Sequence, residues 1–263
     1  MKLSAVQSAS HWYHRDGRPC HQVEMKSKPG QMRNTNVGDA RKLSLIPSVT
    51  NILSVVAAES LVSWRIDQAI LAAITITRMD GEDDKAFITR ILTDMDKERD
   101  DAATLGSEIH SLIANFLVTG ERLVEGVVGQ LVAPLYDWAD QNVVNVHYSE
   151  EVKVGEGYAG TIDLKAEIKD RGLCILDFKS RKSKDGKYAL YSKDRRQLAA
   201  YRAADAIHHA PAEKCLSVLV NSQDPQEPFI HEWPHDSIES GYRSFLACLE
   251  VWSDEKNYNP RNP

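Results

Sequence analysis

The stretch GTIDLKAEIKDRGLCILDFKSRKS, residues 160–183, decides how this chain is read. Ile162, Leu164, Ala166 and Ile168 alternate with other residues, so the segment reads as a strand with one apolar face and Asp163 on the other. In the strand that follows, Cys174, Leu176 and Phe178 share one face while Ile175, Asp177 and Lys179 share the opposite one. A three-residue loop, Asp170 to Gly172 with Gly172 left-handed, sets Leu164 against Phe178 and Ala166 against Leu176. That register joins the apolar sets and gathers Asp163, Asp177 and Lys179 on one face. A two-residue loop would set Asp163 against Phe178 and separate the carboxylates. The charged set is either a surface salt-bridge ladder, worth under about 1 kcal/mol per pair, or a site. As a site, two carboxylates beside a lysine suit a hard divalent cation. Such an ion polarises a phosphoryl oxygen and makes hydroxide available near neutral pH, and the lysine orients the attacking water or stabilises developing charge.

Upstream of this hairpin the pattern is helical. Residues 1–46 are irregular and rich in turn formers, with a short hairpin expected around Asp16-Gly17. Ser48 after Pro47 reads as the N-cap of a helix from about Val49. Residues 58–77 and 82–98 read as two more helices. In TLGSEIHSLIANFLVTG, Leu105, Ile109, Leu112, Ile113, Phe116 and Leu117 form one apolar helical face, ended by Gly120, with His110 at its edge. Residues 125–143 give another helix. Strands are expected at 147–154, 158–168 and 172–179, then the helix RRQLAAYRAADAIHH, the strands CLSVLVN and FIHEW, and a last helix at 236–253. This order implies an α/β layered fold with a mixed sheet.

The chain has 263 residues with 42% hydrophobic and 27% charged content, values that fit a folded globular protein and not a disordered one. The start, MKLSAVQSAS, has no apolar core of a signal peptide, and AILAAITIT is too short to span a bilayer, so a cytoplasmic protein is expected. Cys20, Cys174, Cys215 and Cys248 form no C-x-x-C pair and read as free thiols. Net charge is −6, yet residues 179–196 hold eight Lys/Arg against two Asp, and residues 1–46 hold eight against three acidic residues. A polyanion responds to such a local field, although basic runs also occur as solvated loops. Trp12, Tyr13, Tyr188 and Tyr191 lie among the basic residues and read either as base-stacking or as packing groups. In HEWPH, His231 and His235 are four apart, but Pro234 blocks a helical zinc site. Glu150 or Glu151 adds a carboxylate from the first strand, and the sequence does not choose between them.

GTID, fourteen residues from Asp163 to Asp177, and then DFK together resemble the PD-(D/E)XK nuclease superfamily. QLAAY, Gln197 to Tyr201, resembles the Q-x-x-x-Y motif of its RecB-like branch, and GSEIH resembles that branch's helix bearing a metal-ligating histidine. PSVTNIL followed by LVSW resembles the N-terminal signature of mitochondrial genome maintenance exonucleases and related phage-encoded proteins. The resemblance covers about residues 47–205. It implies a restriction-endonuclease-like αβββαβ core with a mixed central sheet and an N-terminal helical region. The whole of 1–263 is then a single nuclease domain, divided into an extension (1–46), a helical region (47–100) and the core (101–263).

The resemblance also implies roles. Asp163, Asp177, His110 and the Phe178 carbonyl would ligate one or two Mg²⁺ or Mn²⁺ ions, Lys179 would be the catalytic lysine, and Gln197 and Tyr201 would line the site. Asp177 stands where many members carry Glu. Ser48, Arg181, Lys182, Lys184, Lys187, Arg195 and Arg196 are the expected DNA contacts. The four-cysteine Fe–S cluster of some relatives needs clustered C-terminal cysteines, which this sequence lacks, so no cluster is expected. The implied activity is a metal-dependent DNA exonuclease working at DNA ends or on single strands, in recombination, repair or replication. A structure-specific endonuclease on the same core, or a decayed DNA-binding module, are the alternatives. DNA is the expected partner, joined by a single-strand binding or annealing protein, with no membrane. The expected compartment is the cytoplasm, that of the host if the protein is phage-encoded.

Overall fold

Two helical walls enclose a mixed sheet. The computed structural model describes residues 11–56 and 59–263. The leaderless start read from residues 1–10 lies outside the described residues, as does residue 58, where a helix was expected to begin.

The N-terminal region is more regular than its turn-rich sequence suggests. β1 (Trp12–Tyr13) pairs with β4 (Ile46–Pro47), and β2 (Gln22–Glu24) with β3 (Met32–Asn34). The chain reverses at Asp16-Gly17 with Gly17 at φ +87°. α1 (Val37–Leu43) starts on a capping box in which Asn36 and Asp39 satisfy each other's backbone amides. Ser48 caps α2 (Val49–Ile52), its hydroxyl accepting from the Asn51 amide at 3.1 Å.

α3 (Glu59–Thr75) packs on α4 (Asp84–Thr119). The two helices expected at 82–98 and around His110 are this one continuous helix of 36 residues, about 54 Å long. Nothing in DMDKERDDAATLG breaks it: there is no proline, Asp96 and Arg99 pair one turn apart at 2.9 Å, and Gly106 is its one glycine. Asp83 caps its start and left-handed Gly120 ends it. α5 (Gly126–Asn142) follows and leads directly into the sheet. No helix among the described residues is long and apolar enough to cross a membrane.

The sheet runs β5 (Val143–Gly155), β6 (Tyr158–Ile168), β7 (Gly172–Arg181), β8 (Lys214–Asn221), β9 (Phe229–Trp233) in spatial order. Only β7 and β8 are parallel, and α6 (Ser192–Asp205) makes the crossover between them. α7 (His235–Glu255) closes the chain's helical layer beside α6. On one face of the sheet, Leu164, Ala166, Leu176, Phe178 and Val218 pack against Ile109, Ile113 and Leu135 of α4 and α5. On the other, Ile175 and Cys215 pack with Leu198 and Tyr201 of α6, Phe245 and Trp252 of α7, and Trp12, Leu45 and Ile52 from the N-terminal region.

Two sequence expectations about the central hairpin are corrected. The register is Leu164 with Leu176, Ala166 with Cys174 and Ile168 with Gly172, not Leu164 with Phe178 and Ala166 with Leu176. The turn starts one residue earlier because Asp170 (φ +61°), as well as Gly172 (φ +75°), takes the left-handed conformation that Asp tolerates. The shift keeps parity, so the facing of every side chain on β7 survives it. The second correction concerns β6. Its apolar face is not continuous: Leu164, Ala166 and Ile168 pack toward α4 and α5, while Ile162 packs on the opposite side. The strand turns over at Asp163.

Candidate active site

The turnover at Asp163 has a visible cause on each side. On β5, Ser149 pairs with Leu164 and Glu151 with Ile162, so Glu150 stands opposite Asp163, and Glu150 is left-handed at φ +52°. A glutamate in that conformation inside a strand is strained, and such strain persists where the surroundings enforce it. On β7, the ladder with β6 ends at Leu164 and Leu176, and the strands part at Asp163 and Asp177. One Asp163 oxygen fills the gap by accepting the Phe178 amide at 2.7 Å.

α4 delivers His110 to this opening. Its Nε2 lies 2.9 Å from the Phe178 carbonyl oxygen, which only accepts, so Nε2 carries a proton. Nδ1 then faces the acids, 3.6 Å from Asp163 and 3.8 Å from Glu150. His110, Glu150 and Asp163 offer ligand atoms within 4.8 Å of one another, the one such cluster among the described residues. The structure thus chooses Glu150; Glu151 pairs with Lys153 at 2.6 Å. Two expected ligands are placed differently. The Phe178 carbonyl is occupied by His110, and Asp177 stays outside the cluster because its carboxylate turns to Lys179.

Lys179 donates to Asp177 Oδ1 at 2.7 Å, and its ammonium lies 2.7 Å from the buried Oδ2 as well. Burial, and then Asp177, push Asp163 up to about 7. Burial also raises Asp177, against the pull of Lys179. Burial pulls His110 down, but Glu150 and Asp163 outweigh it and leave the imidazole above its ordinary value. Lys179 likewise stays raised because Asp177 and Asp163 outweigh its burial. Carboxylates this crowded and desolvated are short of positive charge. The two carboxylates and the imidazole lone pair gathered within 4.8 Å together fit a divalent cation.

A cleft of about 970 Å³ opens over these groups. One wall is a face of α4, where Ala103, Gly106, Ser107, His110, Ser111 and Ala114 recur at helical spacing. His11, Tyr13, Ser48, Thr50, Glu150, Gly160, Thr161, Asp163, Lys179 and Tyr201 also line the cleft. Tyr201 reaches it only because Gly160 has no side chain: a Cβ there would sit 2.4 Å from the ring. Gln197 is buried and donates to the Tyr201 hydroxyl at 2.9 Å. Burial, then Asp177 and Asp163, hold Tyr201 far above its ordinary value, so it stays a phenol.

The expected DNA contacts divide. Ser48 lines the cleft. Lys182, Lys184 and Lys187 are exposed, the latter two closing a tight turn on left-handed Asp185 and Gly186. Arg181 is committed inward: it bonds Asp194 at 2.7 Å and lies over the Tyr191 ring at 4.5 Å. Arg195 packs on Gly241 and reaches Ser237, and half-buried Arg196 lies near Cys248, so both lean on α7.

Of the aromatic candidates, Trp12 is core, Tyr13 is a cleft wall, Tyr188 stacks on Phe229, and Tyr191 is exposed beneath Arg181. His231 meets Trp233 edge-on and takes no part in the ligand cluster. The cysteines are free, three of them buried. Sequence reasoning missed His11, Thr50 and the hydroxyl-bearing face of α4. Only the last left a signal, in the small residues at Gly106, Ser107, Ser111 and Ala114 around His110. No family model matches the chain, and no curated protein matches it.

Proposed function

We propose that this chain is a divalent-metal-dependent deoxyribonuclease of the PD-(D/E)XK superfamily, in its RecB-like branch, acting as an exonuclease at DNA ends or on single strands. The observation that carries the reading is the parting of β6 and β7, which leaves Asp163, Asp177 and Lys179 together beneath a cleft with His110 and Glu150 beside them. His110, Glu150 and Asp163 would hold Mg²⁺ or Mn²⁺, with Asp177 beside them held by Lys179. When bound, the ion supplies Lewis-acid polarisation of the phosphate and a water acidified toward neutral pH. The chain's own groups do the rest. Lys179 holds a fixed positive charge, kept by its carboxylate neighbours, where charge builds on the phosphate. Tyr201, kept protonated by burial and the nearby carboxylates and oriented by Gln197, offers a hydroxyl donor to the same space. The Phe178 carbonyl fixes the His110 ring and its tautomer, as outer partners of ligating histidines do.

The experiment uses linear single- and double-stranded DNA and circular DNA, each with Mg²⁺, Mn²⁺ or EDTA. Linear substrate is degraded from its ends with metal, circular DNA is spared, and EDTA stops all cleavage. Nicking of the circle would make the enzyme an endonuclease. Binding without cleavage in every metal would make it a DNA-binding module.

A further inference from the structure

His11 is exposed although the two residues after it, Trp12 and Tyr13, are buried. Its ring lies parallel to that of His21, with centroids 4.5 Å apart and planes 21° apart. Tyr13 meets the same His21 edge-on at 5.0 Å and sends its hydroxyl toward Thr161. The stack is held in place. His21 Nδ1 sits 2.9 Å from the Trp12 carbonyl and 3.2 Å from the Trp12 amide, and Trp12 itself is anchored in the core between Trp252 and Tyr258. The His11 carbonyl accepts the Ser48 amide at 3.0 Å, which fixes the backbone beside the cleft. His11 is thus a flat ring with one face covered by a fixed neighbour, lining the same cleft as the α4 face.

The rest of the lining narrows what such a ring is for. Among the described lining residues, Lys179 is the one Lys or Arg, and it is paired to Asp177. A strand entering the cleft therefore finds few phosphate-neutralising groups there, and the hydroxyls of Ser48, Thr50, Ser107, Ser111 and Thr161 with the His11 ring remain to hold it. Aromatic and imidazole rings bind unpaired bases by stacking, and every base has a face to offer.

We propose that His11, backed by His21, is a nucleobase-stacking subsite that holds one unpaired base of the strand lying in the cleft. This rests on the nuclease reading and adds to it a residue that positions substrate without touching the scissile phosphate. Stacking of one base contributes about five- to 150-fold in affinity.

The test walks a single abasic position along short single-stranded hexamers of mixed sequence and measures their dissociation constants in EDTA, with cleavage in Mg²⁺ recorded separately. For the wild-type protein, one abasic position weakens binding by about five- to 150-fold. His11→Ala removes that position's penalty, and His11→Phe keeps it. Both variants melt like wild type, because an exposed ring supports little of the core. If the wild type cleaves DNA but His11→Ala retains the same penalty, the stacking subsite is wrong and the nuclease reading stands. If the wild type neither binds nor cleaves any strand, both fall.

Discussion

Asp163 meets three demands: it stands opposite a left-handed glutamate, it accepts the Phe178 amide, and it shares a buried opening with Asp177. Its protonation therefore links the site to stability. The carboxyl is raised from 3.8 to about 7 in the fold. Below 3.8 both folded and unfolded chains hold the proton and nothing is lost; as pH rises toward 7 the unfolded chain ionises first, so stability falls; above 7 the loss is constant. Asp163→Asn, which keeps an acceptor for Phe178, should stabilise the metal-free protein at pH 8 by on the order of a few kcal/mol. The gain should shrink to nothing toward pH 4, as thermal melts in EDTA across that range would show. A variant less stable than wild type at pH 8 would mean the carboxylates are not in conflict. At this scale the sequence was informative where side chains alternate: on β7, Leu176 and Phe178 pack toward α4 and α5 and Ile175 on the other side, so Asp177 and Lys179 keep their expected facing. By contrast, β6 turns over at Asp163, and alternation alone does not place that residue. The sequence named Glu150 or Glu151 without choosing between them, because the left-handed Glu150 breaks the alternation that the choice depends on.

β6 and α6 meet at Gly160 and Tyr201, and the close approach there decides whether the phenol reaches the cleft. Gly160→Ala places a methyl 2.4 Å from the ring carbon of a fully packed tyrosine. The expected outcome in urea unfolding is a loss of about 1–3 kcal/mol, together with reduced DNA cleavage as Tyr201 shifts away from Gln197. Unchanged stability and activity would show that the ring has room to spare. The helix types and order were legible from apolar periodicity, as in Ile109, Ile113 and Phe116 on one face of α4. The junction inside α4 was not, because a run of charged residues without proline carries no mark of where a helix stops. Helix α1 was missed for the opposite reason: its cap residues, Asn36 and Asp39, are also turn formers.

Across the whole molecule, a net charge of −6 coexists with a basic rim between β7 and α6. The linear sequence grouped Arg181 with the lysines, but folding ties it to Asp194, while Lys184 and Lys187 project from a turn. Replacing Lys184 and Lys187 with Ser should weaken binding of all single strands alike and flatten the log–log salt dependence by up to about 1.4. Filter binding across a salt series reads both effects. A slope equal to wild type would make this turn a solvated loop. The central claim is that the parted strands form a metal-dependent hydrolytic site. Single-turnover cleavage of an end-labelled single strand, titrated with Mn²⁺, tests it with wild type, Asp177→Ala and Lys179→Ala side by side. Wild type should cleave only with metal, and each variant should lose at least about 10²-fold in rate while keeping the wild-type circular dichroism spectrum. Cleavage that persists in EDTA, or near wild-type rates in either variant, would contradict it.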